Sequence, residues 1–219
     1  MNTNSNIKSI IWDYDGTLVD SRIKNLNVTR RIIEKATGKK YNEFPALDNL
    51  PDFEKAHQQS ENWRDFYFRE FNFTEEQTNQ FGPWWTEFQL SDNTKIELYP
   101  GVFQLLRELK KYPQAIVSQN SRENILNLLK RQNIEDIITC IVGFEEVLIN
   151  RQKPFPDGLL KCLDHLNSDT EGFVFYIGDH EGDSQLAYNT NKYFRKNDLN
   201  LIEINENYCL VTFNYYSNT

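Results

Sequence analysis

The chain is poor in cysteine, has no surplus of basic residues and lacks any long apolar run. Its three cysteines among 219 residues (Cys140, Cys162 and Cys209) are odd in number, widely spaced and without a CxxC pair. That excludes a disulfide framework and a structural zinc site, and it fits a reducing compartment. No stretch approaches the ~20 consecutive apolar residues of a membrane span. Lys and Arg number 24 against 32 Asp and Glu, for a net charge of −8. A nucleic-acid partner, which needs a basic face, and a polybasic membrane surface are therefore not expected. The opening MNTNSNIKSII has no basic segment followed by a long apolar one, so no secretory leader is expected. Internal repeats and low-complexity segments are absent too, and His57, His165 and His180 are scattered. With charged residues at 26% and aromatics at 14%, the chain reads as folded, soluble and cytoplasmic.

What is present has two textures. Ile7 to Trp12 (IKSIIW) is a short apolar run with β-branched residues, as in a buried strand, and it ends in the turn Asp13-Tyr14-Asp15-Gly16-Thr17. From residue 21 to about 94 the spacing is helical. Ile23, Leu26, Ile32, Ile33 and Ala36 mark one helix, Trp63, Phe66, Tyr67 and Phe71 a second, and Phe81, Trp84, Trp85 and Phe88 a third. After Tyr99 strands alternate with helices. Pro100-Gly101 opens a helix with Pro in its first turn. Strands are expected at 115–117, 137–142 and 173–177, and helices at 122–131, 156–166 and from 183 onward. Two further strands are expected at 199–204 and 209–213. The fold class expected is α/β, with a parallel-sheet, Rossmann-like core and an inserted α-helical domain. The core comprises residues 1–20 and 95–219, and the insertion residues 21–94.

In an open parallel sheet ligands bind outside the carboxyl ends of the strands, and those ends carry the chemistry. Asp13 and Asp15 follow the first strand, and Ser118-Gln119-Asn120 the second. Lys153-Pro154 precedes the 156–166 helix, and Gly178-Asp179 and then Asp183 follow the strand FVFYI. Carboxylates that converge repel one another unless a cation joins them. Mg²⁺ suits such a set, being a hard ion held by carboxylates, water and substrate phosphate. One carboxylate is then able to attack phosphorus and a second to shuttle the proton, with Ser118 and Lys153 steadying the phosphoryl oxygens.

In order and spacing, IIWDYDGTLVDS, IVSQNS, QKPFPDGLL and YIGDHEGD resemble the four motifs of the haloacid dehalogenase-like hydrolase superfamily. The helical insertion after the first motif and the KPxP after the third resemble the phosphoglycolate phosphatase-like branch. The resemblance implies a Mg²⁺-dependent phosphatase acting on a small phosphorylated metabolite through an aspartyl-phosphate. It implies that Asp13 is the nucleophile and Asp15 the general acid/base. Mg²⁺ would be held by the Asp13 carboxylate, the Asp15 backbone carbonyl and Asp179. Ser118, Gln119 and Lys153 would bind the phosphoryl group, Lys153 also stabilising its charge, and Asp183 would support the metal's water shell or Lys153. Retention of Asp15 separates the chain from the dehalogenases, which lack that acid.

Some positions depart from the family pattern. Gln119 stands where Asn is usual, and His180 where a small hydroxyl residue is common. Thr190-Asn191 replaces the Ala-Gly that follows the last helix, where Asn191, tolerant of the left-handed region, is expected to keep the helix cap. Plainer readings stand beside the functional ones. Gly182-Asp183 also fits a helix N-cap, and the aromatic stripe from Trp63 to Phe88 fits a core. Residues 22–40 hold seven basic residues against Glu34 alone, and residues 41–94 three basic against eleven acidic. That imbalance fits helices bridging one another, or else Arg22 or Lys24 meeting an anionic substrate group. Two rival functions stay open: a phosphosugar mutase of the same superfamily, and a catalytically silent ligand-binding module. Substrate identity and oligomeric state do not follow from the sequence.

Overall fold

The computed structural model describes residues 7–60, 62–166, 172–195, 201–202 and 209–215. Six strands form one sheet: β1 (Ile7–Trp12), β2 (Gln114–Val117), β3 (Ile138–Val142), β4 (Gly172–Gly178), β5 (Leu201–Ile202) and β6 (Cys209–Tyr215). Their order is β3-β2-β1-β4-β6-β5. The first four in that order are mutually parallel, and β6 pairs antiparallel with both β4 and β5. The parallel Rossmann-like core is as expected from the sequence, and the antiparallel edge adds to it. β5 is the described part of the strand expected at 199–204; the rest of that stretch lies outside the described residues.

Strand order decides where a site can form. From β1 the chain steps one way to β2 and β3, then returns to place β4 on the other side of β1. The carboxyl ends of β1 and β4 therefore flank a point where the winding reverses, the place where such sheets open a crevice. Register aligns those ends. Trp12 pairs with both Ile116 and Ile177, and Val117 with Val142.

The chain divides into two compact units, Met1–Val19 with Leu98–Thr219, and Asp20–Glu97. The helical unit holds α1 (Arg22–Thr37), α2 (Leu50–Gln58), α3 (Trp63–Phe71), α4 (Glu75–Asn79) and α5 (Phe81–Ser91). Local chemistry fixes their ends. Gly38 terminates α1 in the left-handed region and donates to the Glu34 carbonyl. Asn49 and Asn62 cap α2 and α3, and Thr74 with Gln77 forms a capping box on α4. Phe53, Phe66, Tyr67, Phe73, Phe81 and Phe88 are buried together, with edge-to-face pairs such as Phe66–Tyr67 at 5.5 Å and Tyr67–Phe81 at 5.0 Å. The aromatic stripe is the core of this unit.

The basic residues of α1 act inside the same unit. Arg30 donates to the Leu47 and Asp48 carbonyls, Arg31 to the Phe88 carbonyl, and Lys35 lies 4.3 Å over the Trp84 ring. Arg22 pairs with Asp20 and Glu54, and Lys24 donates to the Asp92 carbonyl. These contacts favour the bridging reading of the charge imbalance.

In the other unit the helices are α6 (Val102–Glu108), α7 (Arg122–Arg131), α8 (Asp157–His165) and α9 (Glu181–Arg195). Ile11, Ala115, Val117, Val142, Val174 and Tyr176 from the strands meet Leu159, Cys162, Leu186 and Ala187 from α8 and α9 in one buried cluster. Two local expectations are corrected. Gly101, in the left-handed region, caps α6, so Pro100 lies before the helix and not in its first turn. α9 does not end at Thr190-Asn191. It continues to Arg195, because Thr190 and Asn191 are buried on its inner side and the Thr190 hydroxyl donates to the Leu186 carbonyl. Among the described residues the non-glycine positions in the left-handed region are Asn72 and Asn133, and no helix is long and apolar enough to cross a membrane.

Candidate active site

Asp13 is the first residue beyond β1. Its backbone N–H donates to the Ile177 carbonyl at 2.7 Å, which ties it to the end of β4 and continues the parallel ladder by one residue. Its side chain is buried and meets the Lys153 ammonium, which also donates to Asp183 Oδ1 at 2.7 Å. Lys153 thus bridges the carboxylate after β1 to one in the first turn of α9. Asp183 takes two further donors, the Tyr176 hydroxyl on Oδ1 at 2.7 Å and the His180 backbone N–H on Oδ2 at 3.1 Å. The N-cap expectation for Asp183 is corrected: α9 begins at Glu181, so Asp183 is the third residue of the helix, and its Oδ2 reaches back to the N–H of His180 just before the helix while Oδ1 serves the site. The carboxylates of Asp13, Asp179 and Asp183 each offer an oxygen within 4.8 Å of the others.

The glycines of these motifs make room for acids. A Cβ on Gly16, whose φ is +83°, would fall 2.2 Å from Asp179 Oδ2, and one on Gly178 would fall 2.4 Å from the Asp183 carboxyl carbon. Real Cβ atoms do not approach so closely, so both side-chain positions depend on glycine. Thr17 completes the Asp179 setting by donating to Oδ1 at 2.9 Å.

Electrostatics sort the acids. Burial pushes the Asp13 carboxyl well above the usual carboxylate range despite Lys153, and the Asp183 and Asp15 charges add to that. For Asp183 burial pulls upward too, but the Lys153 ammonium, the Tyr176 hydroxyl and the His180 N–H outweigh it and hold the carboxyl below its ordinary value. Burial opposes the Lys153 charge, and the two carboxylates overcome it, so the ammonium persists above its ordinary range. Partial burial raises Asp179 and the Asp183 charge adds to that, against the Thr17 hydrogen bond, though the residue opens to solvent and water screens the effect. Three carboxylates against one ammonium leave the crevice short of positive charge. All the donors are oxygens. That set, and the space Gly16 leaves for Asp179, fit a hard divalent cation.

The hydroxyl after β2 is buried. Ser118 N–H donates to the Val142 carbonyl at 3.0 Å, and Ser118 Oγ accepts from Asn120 N–H at 3.0 Å, which leaves the hydroxyl proton for another acceptor. Gln119 turns toward the third motif and donates to the Lys153 carbonyl at 3.4 Å, bracing the lysine's loop. Asp15, half-buried, receives the Asn120 amide on both oxygens, at 3.0 and 3.3 Å. His180 stands exposed at the edge, its ring Nδ1 accepting from Gly182 N–H at 3.1 Å. Every residue expected in the site therefore lies at the carboxyl end of the parallel sheet. Thr17, Asn120 and Tyr176 join them, three residues to which sequence reasoning gives no role in the site. For Thr17 and Asn120 the available signal is their place inside motifs already singled out. Tyr176 offers none, since an aromatic in FVFYI reads as core.

A family model described as haloacid dehalogenase-like hydrolase matches residues 10–194. The chain belongs to that family. Known structures share its fold. One from Lactobacillus plantarum, provisionally named a phosphoglycolate phosphatase, is 21% identical with a TM-score of 0.68, covering 84% of this chain and 83% of its own. One from Bacteroides fragilis, provisionally named a haloacid dehalogenase-like hydrolase, is 24% identical with a TM-score of 0.68, covering 84% of each chain. CbbY from Rhodobacter sphaeroides, in complex with phosphate, is 16% identical with a TM-score of 0.61, covering 84% of this chain and 83% of its own. No curated protein sequence matches the chain closely.

Proposed function

We propose that this haloacid dehalogenase-like hydrolase is a phosphomonoesterase acting on a small phosphorylated metabolite, with the helical unit of residues 20–97 as its cap. The observation that carries the reading is the buried Asp13–Lys153–Asp183 bridge beside Asp15. It combines an attacking carboxylate, a fixed ammonium for an anionic group and a separate carboxyl for the proton. The membership of the family and the phosphate-bound relative support it.

In this mechanism an Asp13 carboxylate oxygen attacks phosphorus as the bond to the substrate's alcohol oxygen breaks. Asp15 delivers its proton to that oxygen, and the alcohol leaves neutral. Asp15, now a carboxylate, takes a proton from water; the water oxygen attacks phosphorus, the bond to Asp13 breaks, and phosphate departs. Lys153 and the Ser118 hydroxyl hold the phosphoryl oxygens through both steps, with Gln119 bracing the Lys153 loop. Asp183 keeps Lys153 in place through its 2.7 Å contact. Asp13, the Asp15 backbone carbonyl and Asp179 would hold Mg²⁺, with Asp183 in support. Bound there, the ion supplies charge neutralisation that lets an anionic ester enter an acidic crevice. A reducing cytoplasm suits Cys140 and Cys162, two buried free thiols in one core cluster.

The test is phosphate release from p-nitrophenyl phosphate and a panel of small phosphate esters with Mg²⁺. Turnover by the wild type and its loss in Asp13→Asn are expected. No release from any ester by well-folded wild-type protein overturns the reading.

A further inference from the structure

We propose that Asn120 is a positioning residue for the proton-transferring carboxyl: it holds the Asp15 side chain in line with the leaving oxygen. This rests on the phosphomonoesterase reading above and adds to it a residue in the segment after β2 that no step has yet used.

The geometry leaves the amide one orientation. Asn120 Oδ1 accepts the Ser121 backbone N–H at 2.8 Å and the Asn124 Nδ2 at 3.1 Å. A backbone N–H only donates, so the atom facing it must be the oxygen, and the ambiguity between amide oxygen and nitrogen is removed. Nδ2 must then face Asp15, where it lies 3.0 Å from one carboxyl oxygen and 3.3 Å from the other. The backbone of Asn120 is pinned as well: its N–H donates to Ser118 Oγ at 3.0 Å, and its carbonyl accepts from Phe144 N–H at 3.1 Å. Asn120 is buried, at 8% exposure, so water does not readily replace its amide.

A group that gives and takes a proton must keep one orientation in both states. An amide N–H donates to a carboxylate, and equally to the unprotonated oxygen of a carboxylic acid. Nδ2 therefore grips Asp15 before and after the transfer and restrains rotation about its Cβ–Cγ bond, while the other oxygen carries the exchangeable proton. Ser118, which holds the phosphoryl group, and Asp15, which serves the leaving oxygen, are connected through this single residue. A hydrophobic or acidic residue at position 120 would break that connection.

The leaving group separates positioning from general structure. An alkyl phosphate needs its departing oxygen protonated, whereas p-nitrophenyl phosphate releases a phenolate that stabilises its own charge. kcat/KM covers steps only through departure of the alcohol, so later activation of water does not enter. Asn120→Ala and Asn120→Asp are to be compared with wild type on p-nitrophenyl phosphate and on the best alkyl phosphate of the panel. Asn120→Ala removes the donor to Asp15 and adds no charge, whereas Asn120→Asp keeps the oxygen that takes the Ser121 and Asn124 donors but sets a second carboxyl oxygen against Asp15 in the donor's place. The expected result is a fall in kcat/KM of about 10- to 100-fold on the alkyl ester, part of the ~10²- to 10⁴-fold that acid–base catalysis supplies. On the aryl ester the fall is several times smaller. Equal falls on the two esters, or no fall on either, in the folded Asn120→Ala protein, or equal falls in Asn120→Asp where the alanine variant does not fold, overturn the proposal while leaving the phosphomonoesterase reading intact. A wild type that cleaves neither ester overturns that reading, and the proposal with it.

Discussion

Tyr176→Phe isolates one hydrogen bond in the buried network. The ring is fully buried on β4, so Phe fills the same volume and opens no cavity. The Lys153 ammonium lies 5.4 Å from the ring centre, and a Phe ring preserves that contact. What disappears is the 2.7 Å donation to Asp183 Oδ1. Hydrogen bonds to charged groups contribute about 1.5–3 kcal/mol. Asp183 retains Lys153 and the His180 N–H, which places the loss near the lower end, about 1.5 kcal/mol. For a chain of this size that is a fall in Tm of about 3–6 °C. Its pH dependence follows from Asp183, whose carboxyl is held below its ordinary value in the folded protein. Such a group adds stability that is fully present above its unfolded pKa of ~3.9 and is lost as pH falls from there through the folded value. The difference between wild type and variant should therefore be constant from about pH 5 to 8 and shrink below about pH 4. Thermal and urea unfolding of both proteins, without divalent cations, across that range is the assay. A variant as stable as wild type at pH 7 refutes the energetic account of the Asp183 network.

Other outcomes are expected from the same geometry. Asp13→Asn should abolish turnover and, in metal-free buffer, raise Tm at pH 7.5. Burial has lifted the native Asp13 carboxyl above its unfolded value, so its ionised form costs stability as pH rises, and the gain should fade as pH drops toward ~4. A lower Tm for Asp13→Asn at neutral pH contradicts this. Gly16→Ala combines a φ of +83° with a Cβ 2.2 Å from Asp179 Oδ2; it should cost about 1–3 kcal/mol and most of the activity, read by urea unfolding and phosphate release. Arg22→Ala should leave KM for small phosphate esters unchanged, because Asp20 and Glu54 already occupy the guanidinium; a large rise in KM returns Arg22 to the substrate. Chelation with EDTA should remove activity and Mg²⁺ restore it, and activity that survives exhaustive chelation removes the ion from the mechanism.

Much of the frame is legible in the amino-acid sequence. The run IKSIIW, the later alternation of strands and helices, and the order of four motifs are local patterns, and β1, α3 and α7 lie where periodicity and caps put them. The acids stand directly beyond β1 and β4, so knowing where the strands end is enough to list Asp13, Asp15, Asp179 and Asp183. Partner choice is not legible there. Lys153 meets Asp13 across 140 residues of chain, Asn120 meets Asp15 across 105, and Thr17 meets Asp179 across 162. Nothing in a window of a few residues encodes which donor faces which acid. Asn120, Thr17 and Tyr176 are ordinary in a turn, a loop and an apolar strand, and they become site residues only because β1 lies between β2 and β4. The same cause carries α9 through Thr190-Asn191: a local preference for a cap yields to the burial of both side chains in the folded unit. By itself the sequence determined the hydrolase family, the parallel α/β core and the acids at its carboxyl edge, because motif and periodicity are written in neighbouring residues. Only the tertiary structure decided which groups hold those acids, because strand order and burial depend on contacts between residues far apart in the chain.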